Sequence, residues 1–352
     1  MPSDRTFVTE LATGLGTLGD DDMCLALGRR PAEMANLEVG DWERLHSLWE
    51  SGAYSGDFEA GFANGRAFLE APDALRGRRP RMVEWTGGRR PPGDEIVPSD
   101  LRIDHVYLVS CKYLSRILHN PSPSRLVDAL LTQAAVDDGR DWYQRVAQAE
   151  YQQLYEECTR ALGHRSFPAL ASELTVEQRR VLSRDLRGGW PAGAAHLYSR
   201  LCGVVSDATA RSWNGRIGER GAESMLWRLL RIGSAPYFIL GTSRAGSVRL
   251  RIDSPWDWRQ ANRLRRFEVV AQQGGQPRVG WCAIYEERRT SEERAVRGHV
   301  EIRWSHGRFA QPPEAKVYLD SAHEDVPGYH LLAPSPAPLA EKVADVAGED
   351  RG

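Results

Sequence analysis

Hydrophobic and polar positions change period along the chain, and the changes predict its elements. From residue 57 to about 75, Phe58, Phe62 and Leu69 recur on one helical face. A short apolar stretch over 82–86 reads as a strand, and a loop of glycine, proline and arginine (GGRRPPGDE) follows it. Two further strand-like pieces occupy 100–104 and 106–113. Asn120-Pro121-Ser122-Pro123 then breaks the chain, and Ser124 is placed to cap a helix over 124–131. The order is helix, strand, strand, strand, helix. From 142 to 232 the spacing is helical: Tyr143, Ala147, Tyr151, Leu154, Cys158 and Leu162 step by three and four. Thr175 to Gln178 forms a capping box, with Leu174 placed as a hydrophobic staple.

From Pro236 onward the period drops to two. Strands are predicted over 237–242, 248–252, 267–272, 279–286, 299–304 and 315–320, with Gly274-Gly275 as a hairpin turn. The first 55 residues read as short helices and loops. They contain Gly14-Leu15-Gly16-Thr17-Leu18-Gly19, a formal GxGxxG. No strand precedes it, and Asp20-Asp21-Asp22 would repel a pyrophosphate, so it reads as a flexible turn and not as a cofactor loop. The fold class is α+β or α/β. Five segments follow: a helical and loop segment (1–56), a core (57–138), a helical region (139–233), a β-rich domain (234–332) and a proline-rich, disordered tail (333–352).

Composition narrows the function. In the 352 residues, 46 basic and 48 acidic side chains leave a net charge of −2, so this is no polycation that grips nucleic acid by bulk charge. No run of eighteen apolar residues exists to span a membrane, and no secretory leader is read at the N-terminus. Five scattered cysteines without a CxxC pair argue against a zinc cluster or a disulfide framework, and a cytoplasmic setting is expected. Only three of the basic residues are lysines: Lys112, Lys316 and Lys342. A lysine kept where arginine serves elsewhere points to a site that needs a compact, adaptable ammonium.

The neighbours of Lys112 carry chemistry. Asp100 opens one predicted strand, and Ser110-Cys111-Lys112 closes the next. Side chains alternate along a strand, so Ser110 and Lys112 share a face and Cys111 points to the core. A three-residue connection (Asp104, His105, Val106) pairs Ile103 with Tyr107 and sets Asp100 opposite Ser110. A two-residue turn would put Asp100 on the other face. An acid, a hydroxyl and an ammonium on one face suit phosphodiester hydrolysis: the carboxylate holds Mg²⁺, and the lysine orients water or offsets charge on the phosphorane. Asp104 itself reads as a turn residue.

These residues resemble the PD-(D/E)xK, or restriction-endonuclease-like, nuclease superfamily. Pro98-Ser99-Asp100 is similar to its PD element with one residue inserted, and Ser110-Cys111-Lys112 to its (D/E)xK element with serine in place of the acid. The helix–three-strand–helix order resembles its core. The resemblance covers residues 57–131. It implies a DNA endonuclease dependent on Mg²⁺, for which Mn²⁺ can substitute, acting in restriction or antiviral defence. The implied partners are DNA and either a second copy or the subunits of a defence complex. Asp100 and an auxiliary acid would hold the metal, and Lys112, assisted by Ser110, would activate water. Glu84 is the first choice of second acid, then Asp94 and Glu95, with Glu70 on the preceding helix also a candidate. Serine is a poor Mg²⁺ ligand, which leaves open a degenerate, nucleic-acid-binding or regulatory subunit, or a protein that is no nuclease.

Two further stretches carry polar groups. Arg303, Ser305, His306 and Arg308 could read base edges or clamp phosphates. Glu314-Ala315-Lys316 is a second ExK, whose partner acid would be Glu301, because no aspartate lies between Asp257 and Asp320.

Overall fold

The computed structural model describes residues 3–87, 99–113, 117–119, 123, 126, 141–243 and 246–332. Local sequence sets the first helices. Ser3 caps α1 (Asp4–Gly16) by accepting from the Thr6 amide, and Asp22 caps α2 (Met23–Arg29) in the same way through Leu25. After β1 (Met34–Ala35) come α3 (Val39–Glu50) and α4 (Ser55–Glu70). The GxGxxG stretch is not a flexible turn. Gly14 and Gly16 lie inside α1, and only Gly19 turns the chain, at φ +76°. Their smallness serves packing: a Cβ on Gly16 would lie 2.2 Å from the Phe62 carbonyl oxygen, and one on Gly65 would lie 2.1 Å from that of Thr13. The backbones of α1 and α4 therefore touch.

Strands β2 (Val83–Trp85), β3 (Leu101–Ile103) and β4 (Tyr107–Tyr113) form an antiparallel meander, followed by β5 (Ile117–His119). Helices α5 (Trp142–Val146), α6 (Gln148–Leu162), α7 (Val176–Asp185) and α8 (Ala194–Leu229) follow. The capping box at Thr175 and Gln178 starts α7. At 36 residues, α8 extends about 54 Å. The chain then returns to the first sheet with β6 (Tyr237–Ser243) and β7 (Gly246–Ile252). After α9 (Pro255–Ala261) it builds β8 (Asn262–Gln272), β9 (Arg278–Glu287), β10 (Glu292–Arg303) and β11 (Glu314–Leu319), and β12 (Tyr329–Leu331) closes the described residues. All six strands expected after Pro236 are present. The helix expected over 124–131 lies outside the described residues except for Leu126, which is buried, and the expected tail lies outside them too.

The strand order is β1-β2-β3-β4-β6-β7-β12 in one sheet and β5-β11-β10-β9-β8 in the other. In the first sheet β4 and β6 run parallel, with Val109 beside Phe238 and Tyr113 beside Thr242. Parallel neighbours need a crossover, and the whole helical region supplies it. One apolar core lies between α1–α4 and one face of this sheet. A second fills the space between its other face, α5–α8 and the second sheet. The expected boundaries at 56 and 233 therefore separate segments that share cores. On α8, Asn214 gives its amide nitrogen to the Val269 carbonyl (2.6 Å) and takes the Val269 amide (3.2 Å). It occupies backbone groups of β8, the last strand of its sheet, as a neighbouring strand would.

Candidate active site on the first sheet

The β3–β4 connection decides the site. Asp104 and His105 both adopt left-handed backbone (φ 48° and 58°), and the Val106 amide closes the turn on the Ile103 carbonyl at 3.0 Å. Asp104 fits that conformation and is held there by the Arg81 and Met82 amides and by Arg78. Ile103 thus pairs with Tyr107 and Leu101 with Val109, the three-residue register. Leu101, Ile103 and Val109 turn to the first core, whereas Asp100, Arg102, Ser110 and Lys112 turn to the other face.

Asp100 immediately precedes β3, at the edge beyond which β4 continues without it. Its Oδ2 accepts the Cys111 amide at 2.7 Å and the Ser110 hydroxyl at 3.2 Å. The carboxylate so replaces the strand partner that β4 loses there. Ser110 is fully buried, and its hydroxyl donates to Asp100, so its oxygen is turned away from solvent. Asp100 and Lys112 are both partly exposed. Asp100 Oδ1 accepts no hydrogen bond from the described residues. Beside Lys112 runs Gly241 of β6, where a Cβ would lie 2.1 Å from the Lys112 carbonyl oxygen. Cys111 packs against the first core, and burial, reinforced by Asp100 and Glu10, raises its thiol well above the usual range.

Glu84 shares the Asp100 face, since it pairs with Arg102 across β2 and β3. Its carboxylate takes two hydrogen bonds of 2.7 Å from Arg102 and lies 3.1 Å from His105 Nδ1. Arg102, helped by His105, holds it below the ordinary glutamate range against the burial that raises it. Glu70 ends α4 on the other side of the sheet, 3.5 Å from Arg66. Pro98, Asp94 and Glu95 lie outside the described residues.

Among the described residues no group of three acidic, histidine or cysteine side chains converges as metal ligands. The donor set fits a divalent cation only in part. Among the described residues no hydrogen bond reaches Asp100 Oδ1, and Mg²⁺ accepts a site of one or two carboxylates when substrate phosphate and water complete its shell.

The other predicted residues lie in and beside the second sheet. Arg303 is 3.3 Å from Glu301, and His306 is 3.4 Å from Glu314. Ser305 is partly buried next to Trp304. Arg308 donates to the Leu186 carbonyl that ends α7 and lies 4.4 Å over the Trp190 ring, so its guanidinium braces the fold. Glu301 stands opposite Lys316 in register, whereas Lys316 is 3.6 Å from Glu314 on its own strand, so the second ExK forms an ion pair along β11. Gly241 escaped the sequence reading, because nothing local marks a glycine as the neighbour of a residue on another strand. No protein-family model, curated protein or solved structure matches this chain.

Proposed function

We propose that the chain is a metal-dependent DNA endonuclease that hydrolyses phosphodiester bonds at Asp100 and Lys112, in restriction or antiviral defence. The observation that carries this reading is the Asp100 carboxylate. The Cys111 amide and the Ser110 hydroxyl fix one of its oxygens, on the sheet face that Lys112 shares. Such preorganisation suits a group that must hold its position as charge builds on a phosphate. Mg²⁺, held by Asp100 with the substrate phosphate, would supply Lewis-acid polarisation and a more acidic water. Lys112 orients that water or offsets charge on the phosphorane, Ser110 keeps Asp100 in place, and Glu84 is the acid nearest in register. Arg303 and His306 are the contacts offered to the nucleic acid by the second sheet.

The second reading is a nucleic-acid-binding subunit with a degenerate nuclease core. Serine at position 110 and the engagement of Glu84 by Arg102 favour it. Plasmid nicking with Mg²⁺ separates the two. Cleavage by the wild type that is lost in Lys112→Ala, with DNA binding kept, supports the nuclease. Wild-type protein that binds DNA and cleaves no modified, unmodified, single-stranded or double-stranded substrate refutes it.

A further inference from the structure

Arg249 differs from most arginines of this chain. It lies on β7, faces the first core and is partly buried. Its Nε donates to Asn64 Oδ1 at 2.9 Å, and its Nη2 reaches the Ser247 hydroxyl only at 3.5 Å. Asn64, on α4, is 1% exposed, so the one firm partner is neutral and fixed. No carboxylate lies within ion-pair distance among the described residues. Burial alone lowers the Arg249 pKa, with no acid raising it. Arg228 shares that feature, but it stands in the last turn of α8, where the carbonyl end of a helix favours a cation. Arg249 has no such compensation. With Nε held by Asn64 and Nη2 only loosely on Ser247, the terminal nitrogens have no acidic partner among the described residues, and a guanidinium fork is the geometry that takes a phosphate or carboxylate.

Its position gives the fork a use. Cys111, Leu240 and Arg249 stand in one cross-strand row, and Tyr113, Thr242 and Ser247 form the next row towards the sheet end. Arg249 is level with the middle of the β4–β6 pairing, with its Nη2 reaching towards Ser247 in the row nearer the carboxyl end, two strand spacings (about 10 Å) from the strand that carries Lys112. The nearby Arg5, 4.8 Å over the Tyr113 ring, is already ion-paired with Asp57 at 3.1 Å. Arg249 and Lys112 face opposite sides of the sheet, so a nucleic-acid backbone would have to cross the end of the sheet to reach both.

We propose that Arg249, held side-on by Asn64, is a phosphate-binding group for the nucleic-acid backbone; the assignment rests on the phosphodiester reading of the Asp100–Lys112 site.

The test uses labelled single- and double-stranded oligonucleotides in EDTA, read by fluorescence anisotropy from about 50 to 200 mM salt. Inorganic phosphate is titrated separately by calorimetry. Arg249→Gln removes the fork. Asn64→Asp keeps the side chains in place and supplies the missing carboxylate, which competes with phosphate. Both variants are expected to weaken oligonucleotide binding about tenfold and to reduce the salt slope by about one. Arg228→Gln is expected to change neither, and circular dichroism checks that each variant folds. Wild-type affinity and slope in folded Asn64→Asp or Arg249→Gln overturn the proposal. So does a wild type that binds neither oligonucleotide nor phosphate at low salt. Loss of phosphate binding with oligonucleotide binding unchanged marks a free-anion site and overturns the backbone assignment. Wild type that binds through Arg249 yet nicks no plasmid with Mg²⁺ sinks the nuclease reading and leaves this site standing. Nicking by wild type with unaltered binding in both variants sinks this site alone.

Discussion

Two substitutions at Asp100 separate its structural part from its chemical one. Asp100→Ala removes the acceptor of the Cys111 amide (2.7 Å) and of the fully buried Ser110 hydroxyl (3.2 Å). A buried donor left unpaired costs about 1–3 kcal/mol. The serine hydroxyl can rotate to another acceptor, whereas the amide cannot, so a loss of about 1–3 kcal/mol is expected. Asp100→Asn keeps an oxygen for the amide and loses only the charge. Bonds to charged groups exceed neutral ones by about 1 kcal/mol, which sets its expected cost. Urea unfolding measures both. Plasmid nicking by the folded Asn variant is expected to fall by at least about a hundredfold. An Ala variant within about 0.5 kcal/mol of wild type would show that the carboxylate does not hold the amide, and the register argument would fail. An Asn variant that nicks at the wild-type rate would remove Asp100 from the chemistry.

Gly241→Ala places a methyl against the Lys112 carbonyl (2.1 Å), so β4 and β6 must part. A loss of about 1–3 kcal/mol in urea unfolding is expected, with nicking reduced in whatever remains folded, and wild-type values for both would refute the close approach. Glu84→Gln tests the Arg102 pair by pH. A carboxylate lowered on folding stabilises above its unfolded pKa of about 4.3 and loses that contribution as pH falls through the lower folded value. The variant should therefore be less stable than wild type at neutral pH, and the gap should close below about pH 4; a gap that ignores pH refutes the pair. Arg308→Ala removes the brace on α7 and should cost about 1–3 kcal/mol while leaving the DNA affinity of the folded protein unchanged, measured by unfolding and anisotropy. The reverse pattern would return Arg308 to the nucleic-acid surface.

Local patterns were legible. The period of two after Pro236 marks every strand from β6 to β11, and the Thr175 capping box marks the start of α7. The Asp100–Ser110 pairing was also legible, because three residues separate β3 from β4 and a turn sets register over that distance. What failed was long-range. Gly14 and Gly16 resemble a turn until α4 is placed against them. Glu84 is on the expected face, yet a cross-strand arginine takes its carboxylate, and a ligand count from one strand cannot see the other. Arg308 looks like a groove residue in a basic stretch, but its partner Leu186 is far away along the chain. Arg249 and Asn64 belong to segments that meet only in the folded sheet.

The hydrogen bonds that hold Asp100 belong to the fold and would also serve the proposed chemistry, and this constrains how the site can vary. Where β3 ends at the turn of the chain towards Ser99, β4 continues to Tyr113 and would leave the Cys111 amide without a partner. A side chain with an acceptor at position 100 is needed for that amide whether or not any reaction occurs. Asparagine meets this structural demand nearly as well as aspartate. The charge is the surplus, and fixing a charge on a partly exposed sheet face beside a lysine is worth more to a reaction than to stability. Ser110 follows the same logic. Its hydroxyl is buried and spends itself on Asp100 Oδ2, while Oδ1 takes no hydrogen bond from the described residues, so under the proposed reading serine there would trade one potential metal ligand for a more firmly held second one. An acid at position 110 would set a second buried carboxylate against Asp100, and like charges at that distance raise the pKa of one of them. Under the proposed nuclease reading, activity would come from one oriented carboxylate and one ammonium, with the substrate phosphate completing the shell of the cation.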